Sequence, residues 1–137
     1  MTKYNLTWEL SDAQLLDALY LATGGDEGAT LQDVMAMGDA TAGTVFTIQE
    51  VENGLEKLIS VGYVGISKNK LYLTPAFLRE HEIASEQGSF SSSTELYEAL
   101  LGTRQISQQK IDEVRAEVMK NYKLKSYYHQ YMEQNGG

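Results

Sequence analysis

Side chains that could bind a metal or transfer a proton are few in this sequence, and their spacing does not favour catalysis. The two histidines, His81 and His129, lie far apart, and the chain has no cysteine. The segment Glu80-His81-Glu82 lacks the second histidine that a helical zinc site carries four residues further on. There is no Gly-x-Ser-x-Gly turn and no glycine-rich phosphate loop. The sequence therefore predicts a protein that is not an enzyme and that holds neither a cofactor nor a metal.

Residues 24–28 form an acidic stretch that reads Gly-Gly-Asp-Glu-Gly. This stretch resembles the Gly-Gly-Asp-Glu-Phe signature of diguanylate cyclases, with one letter changed. In that family the signature lies on a hairpin inside a sheet-containing domain. Here only one predicted helix precedes Asp26 and Glu27, which leaves no scaffold for two metals and a triphosphate. The sequence favours an acidic turn between two helices.

Length and composition fit a soluble globular protein. The chain has 137 residues, of which 42% are hydrophobic, enough to bury a core without cross-links. The absence of cysteine favours a reducing compartment, and the first residues lack the layout of a secretory signal. No apolar run approaches the roughly 20 residues that span a bilayer. We therefore expect a cytoplasmic protein that does not enter a membrane.

The formal net charge of −8 is concentrated in the first two thirds of the chain. Residues 1–88 contain five lysines and arginines against thirteen acids, whereas residues 89–137 contain six of each. A region with this excess of acids repels polyanions at long range.

Three helix-start signals precede apolar stripes at helical spacing. Ser11, Thr30 and Thr47 are each followed three residues later by a side chain that can complete a capping box. The second stripe ends near Gly38. We predict helices over residues 12–23, 31–37 and 48–61.

After the third helix the apolar residues alternate, as in strands. Val64 and Ile66 lie on one side of the polar stretch "SKNK", and Leu71 and Leu73 lie on the other. Thr74-Pro75 is typical of a helix start. The sequence predicts a hairpin over residues 63–74 and a fourth helix over residues 75–86.

Three helices followed by a hairpin, with "LEKLISVGYVGISKNKLYLTPAF", resemble a winged helix-turn-helix domain. The resemblance covers about residues 10–80 and includes the exit Tyr72-Leu73-Thr74. The stretch "GDATAGTVF" between the second and third helices is longer than the turn usual in that family. The predicted fold class is mainly α with a small β-hairpin, a winged-helix domain at residues 1–86 followed by C-terminal helices.

Residues 87–137 are predicted to be a linker and a helical extension, since "SEQGSFSSST" at residues 85–94 is rich in serine and glycine. A long helix is expected from Ser107, continuing towards Met132. The apolar stripe of this helix either packs on its own domain or pairs with a second copy of the chain. The tyrosine-rich end "YKLKSYYHQY" could instead stack bases. The stripe consists of Ile111, Val114, Val118 and Tyr122.

The residues on the third helix and the wing bear on the choice of partner, because winged helices bind either DNA or proteins. Gln49 and Asn53 could contact adenine edges, whereas three glutamates against one lysine on this helix disfavour a duplex. The resemblance implies a regulatory module. The sequence favours a protein partner or self-association, and the alternative is a DNA-binding regulator that acts as a dimer through the same surface. The predicted surface comprises Gln49, Glu50, Glu52, Asn53, Glu56, Lys57, Lys68 and Lys70.

Overall fold

The computed structural model describes residues 7–24, 27–43, 45–88 and 90–134. A 3₁₀ turn (Met119–Asn121) separates the last two helices. The predicted class, mainly α with a small β-hairpin, is confirmed. The elements are α1 (Leu10–Thr23), α2 (Leu31–Ala42), α3 (Ile48–Ser60), β1 (Val64–Ser67), β2 (Lys70–Leu73), α4 (Pro75–Gln87), α5 (Ser93–Leu101), α6 (Gln108–Glu117) and α7 (Leu124–Gln134).

Helix α1 begins at Leu10, earlier than predicted, because a different side chain caps it. Asp12 accepts a hydrogen bond from the backbone N–H of Glu9 at 2.8 Å. Asp12 therefore has the role that the sequence pattern assigned to Gln14, and Glu9 holds the N-cap position that the pattern assigned to Ser11. The caps predicted for the next two helices are confirmed, since Thr30 and Thr47 each accept the backbone N–H three residues on.

The sequence predicted that α2 ends near Gly38, but the helix continues to Ala42. Gly38 allows a close approach instead, because a Cβ at this position would lie 2.6 Å from Cε2 of the Phe46 ring. The helix ends at Gly43, whose φ of 64° is left-handed. The connection to α3 is consequently short, and the long linker "GDATAGTVF" expected from the sequence is mostly helix.

The hairpin has the predicted strands and gains a third extended segment. Val64 pairs with Leu73 in the antiparallel register, and the two turn residues, Lys68 and Asn69, both have positive φ, as a tight hairpin turn requires. Ala29, between α1 and α2, exchanges two backbone hydrogen bonds of 2.8 Å with Leu71. The hairpin is thereby joined to the α1–α2 connection.

The described part of the Gly-Gly-Asp-Glu-Gly stretch lies in this same connection. Gly24 ends α1 with a φ of 68°, and Glu27 is exposed. Gly25 and Asp26 lie outside the described residues.

A single hydrophobic core joins the predicted domain to the predicted extension. Helix α5 packs on α1, α6 on α3, and α7 on α2. The helices on the two sides of the boundary predicted near residue 86 therefore pack against each other. The buried cluster contains Leu19, Leu55 and Leu58 together with Leu96, Tyr97, Leu100, Leu101, Leu124 and Tyr131.

The long helix predicted from Ser107 is divided into α6, the 3₁₀ turn and α7. Ser107 caps α6 as predicted, but Tyr122 is extended, with φ −98° and ψ 123°. The division lets α6 lie along α3 while α7 turns onto α2, which one straight helix could not do. We call residues 108–134 the C-terminal cover.

Candidate functional site

The eight residues that the sequence predicted for a partner surface differ in their exposure to solvent. Gln49 and the hairpin lysines, Lys68 and Lys70, are exposed, and Glu50, Glu52 and Asn53 are half-buried. Glu56 and Lys57 are only 4% and 2% exposed. The prediction that these two side chains face outward is therefore wrong, because each has a charged partner from a distant part of the same chain.

Lys57 lies in the interface between α3 and the start of α1. Its Nζ atom is 2.5 Å from Oδ2 of Asp12 and donates a hydrogen bond to the carbonyl of Thr7 at 3.0 Å. It also lies 5.7 Å from the centre of the Trp8 ring, within the range of a cation–π contact. Burial raises the pKa of Asp12, and the hydrogen bond from Lys57 opposes that rise. Lys57 thus fixes the start of α1 and cannot contact a phosphate.

Glu56 is bound by Arg115 of the C-terminal cover. Arg115 donates two hydrogen bonds to the carboxylate, from Nε at 2.7 Å and from Nη2 at 3.1 Å. The Glu56 side chain is 5% exposed and that of Arg115 is 39% exposed. Burial raises the pKa of Glu56, and the Arg115 hydrogen bonds oppose the rise. This two-point contact orients α6 across α3.

The predicted stripe of the C-terminal helix packs within the chain itself. Ile111, Val114 and Tyr122 are buried, and Val118 is half-buried. Helix α7 continues the contact towards the beginning of α3, where the hydroxyl of Tyr128 donates to the carbonyl of Phe46 at 2.8 Å. The C-terminal cover therefore contacts α3 along its length and also the segment that precedes it.

The exposed hairpin tip borders a cavity of about 340 Å³ against the C-terminal cover. Tyr122 is one of the lining residues, and its buried hydroxyl has no hydrogen-bond partner among the described residues. Burial raises its pKa. The other lining residues are Ile66, Lys68, Asn69, Glu117, Val118 and Asn121.

A larger, open groove of about 500 Å³ lies between the end of α1 and α4. Its volume is within the range of ligand-binding clefts. The five α4 residues that line it follow the spacing of one helical face, which is the local signal for it in the sequence. The groove could not be predicted from the sequence, because α1 supplies the opposite wall from almost 60 residues away. We call it the acidic groove, lined by Tyr20, Gly24, Leu78, His81, Glu82, Ser85 and Glu86.

The floor of the acidic groove is the outer end of a stack of aromatic rings. The His81 ring lies 4.4 Å from that of Tyr20 and 5.5 Å from that of Tyr97, with interplanar angles of 24° and 27°. Phe77 extends the stack into the core, 6.3 Å from Tyr97. Burial lowers the pKa of His81, which the charge of Asp17 opposes. The lowered pKa favours the neutral imidazole.

Comparison with known proteins assigns no function to these surfaces. No family model matches the chain, and no curated protein or solved structure is significantly similar to it. Among the residues that the structure describes, no three metal-ligating side chains come together in a group that could hold an ion. No helix in the described ranges is long and apolar enough to cross a membrane.

Proposed function

We propose that this protein is a winged-helix module of the cytoplasm that binds another protein and does not read DNA through its third helix. The observation that carries the proposal is the packing of α6 across α3, with Arg115 bound at two points to the buried Glu56. A helix that reads the major groove must present side chains to base edges. Here part of that helix faces the interior of its own chain.

The order of elements supports the winged-helix part of the proposal. Three helices precede an antiparallel hairpin, and the short α2–α3 connection agrees better with the family than the linker expected from the sequence. The bridge between Ala29 and Leu71 gives the hairpin the third extended segment of a small sheet. The absence of cysteine supports a reducing compartment.

Electrostatics support a protein partner over a duplex. Affinity for DNA comes mostly from lysine and arginine contacts to phosphates. The lysine of α3 is bound to Asp12, while Glu50 and Glu52 remain half-exposed on the same helix. A net charge of −8 adds long-range repulsion of polyanions and attraction of basic proteins.

A DNA-binding regulator that acts as a dimer is the second candidate, favoured by the exposure of Gln49, Lys68 and Lys70. In that function the two lysines at the hairpin tip would contact phosphates, and Gln49 and Asn53 would reach base edges.

A titration of fluorescent duplexes, random and genomic, distinguishes the two candidates. We expect no binding tighter than about 10⁻⁴ M near 0.15 M salt, because the basic contacts needed for non-specific affinity are lacking. Nanomolar binding that weakens in a Lys68→Ala/Lys70→Ala variant would contradict the proposal. The matched control is Lys123→Ala/Lys125→Ala, which removes two exposed lysines from another surface.

Selection of random displayed peptides against the folded chain tests the positive half of the proposal. Sequences rich in arginine or lysine should be enriched over a selection against the heat-denatured chain. A selection that enriches no peptide would count against a protein-binding function.

A further inference from the structure

We infer that the acidic groove binds an arginine side chain from a basic segment of a protein partner. This assignment rests on the proposed function, because it names the contact surface of the same module. Three observations carry it: the aromatic floor, the rim carboxylates that form no ion pair with any described residue, and the exposed apolar residues on the two helices that form the walls.

The floor of the groove suits a planar cation. Tyr20 ends the aromatic stack and lines the groove, so its ring can accept a guanidinium by cation–π contact. An arginine side chain stacks on aromatic faces more readily than a lysine does. His81 is the second ring of the floor, and its lowered pKa favours the neutral imidazole, which does not repel such a cation. Leu78 provides an apolar wall for the methylene groups of the incoming side chain.

The rim supplies the negative charge. Glu82 and Glu86 are both exposed and lie four residues apart on α4, which places them on the same side of the helix. Among the described residues, neither forms an ion pair, whereas Glu56 and Glu80 are bound to Arg115 and Arg104. Two like charges at this spacing repel each other, and a cation between them relieves the repulsion.

No lysine or arginine among the residues that the structure describes lines the groove. Arg79 lies one turn before Glu82, is exposed, and forms no ion pair within the described ranges. The site is therefore open to a cation from outside.

An exposed apolar residue follows a lining residue in the sequence on each of the two helices, Leu21 after Tyr20 and Ile83 after Glu82. Leu21 on α1 is 43% exposed and Ile83 on α4 is 47% exposed. A peptide that inserts an arginine can bury apolar neighbours of that arginine against these two residues. An acidic rim with apolar flanks fits a basic, partly apolar peptide, and it repels a polyanion such as DNA.

The test is a titration of the ¹⁵N-labelled full chain with an acetylated, amidated peptide of alternating glycine and arginine. A glycine–glutamate peptide of equal length is the control ligand. We expect amide shifts at Tyr20, His81, Glu82 and Glu86 with the arginine peptide, and none with the glutamate peptide.

Two variants locate the contact. Glu82→Gln/Glu86→Gln should weaken binding about 3- to 10-fold, as expected for two exposed charge pairs. Its matched control, Glu113→Gln/Glu133→Gln, makes the same change in net charge on the C-terminal cover and should change the affinity less than about twofold. Tyr20→Leu, which removes the aromatic ring and keeps an apolar side chain, should weaken binding about 2- to 5-fold, and its melting curve verifies that it folds.

Equal weakening by both glutamine pairs, or shifts that lie outside the groove, would overturn the assignment. If displayed peptides are still enriched in that case, the proposed protein-binding function stands and only the groove is rejected. No binding of the arginine peptide at millimolar concentration would also overturn the assignment. Failure of the proposed function is distinguished by its own result, tight binding of duplex DNA.

Discussion

The α3 surface and the acidic groove both carry glutamates on a helix, but the chain treats these charges differently. On α3, Glu56 is buried beneath α6 and bound at two points by Arg115. On α4, Glu82 and Glu86 are exposed and have no cationic partner in the described residues. A buried carboxylate destabilises the fold if it loses its own arginine, whereas an exposed pair without one is free to bind a ligand. The comparison separates structural acids from candidate binding acids.

The largest effect is expected where both members of a charge pair are buried. Lys57→Met should lower the free energy of unfolding by about 3–5 kcal/mol, because it leaves the Asp12 carboxylate buried without its partner. Denaturant unfolding measures this value. The control is Lys70→Met on the exposed hairpin, for which we expect less than about 0.5 kcal/mol. A loss below 1 kcal/mol for Lys57→Met would show that the α3 charges are not structural.

A smaller effect is expected for the pair that joins α3 to the C-terminal cover. Arg115→Met should destabilise the protein by about 1–2 kcal/mol, less than Lys57→Met because the guanidinium is partly exposed and screened by solvent. A double-mutant cycle with Glu56→Gln should give a coupling energy of at least about 0.5 kcal/mol, since the two side chains are in direct contact. Independent, additive losses would mean that this contact does not hold the cover on α3.

The smallest effect is expected in the acidic groove. Glu82→Gln/Glu86→Gln should change the free energy of unfolding by no more than about 0.5 kcal/mol, and in the stabilising direction, since it removes a like-charge repulsion on α4. Thermal melting at low and high salt measures the change, which salt should diminish. A decrease of more than 1 kcal/mol in the free energy of unfolding would show that these two glutamates stabilise the fold and would remove their contrast with Glu56.

The features that were predictable from the sequence are those that depend on near neighbours. The caps at Thr30, Thr47 and Thr74 act over three residues, and the hairpin follows from alternating apolar residues around a polar turn. Each signal lies within the element that it determines. Capping boxes and strand periodicity are local interactions, so that a single sequence suffices to recognise them.

The features that could not be predicted depend on contacts between distant residues. Lys57 and Glu56 have the spacing of a solvated helix face, and only Asp12 and Arg115, 45 and 59 residues away, make them interior. Gly38 resembles a helix end until the Phe46 ring is placed against it. For the same reason the acidic groove could not be found, since its two walls come from α1 and α4.

The contact between Glu56 and Arg115 also has a consequence for synthesis of the chain on the ribosome. Arg115 is added 59 residues after Glu56. At about 5–20 residues per second, the synthesis of α3 is finished several seconds before Arg115 is added to the chain. During that interval the Glu56 carboxylate must remain in water and α3 cannot adopt its final surroundings. A nascent chain held at this stage would display the helix face that the finished protein conceals, which gives chaperones and proteases a period of access that ends when α6 leaves the exit tunnel.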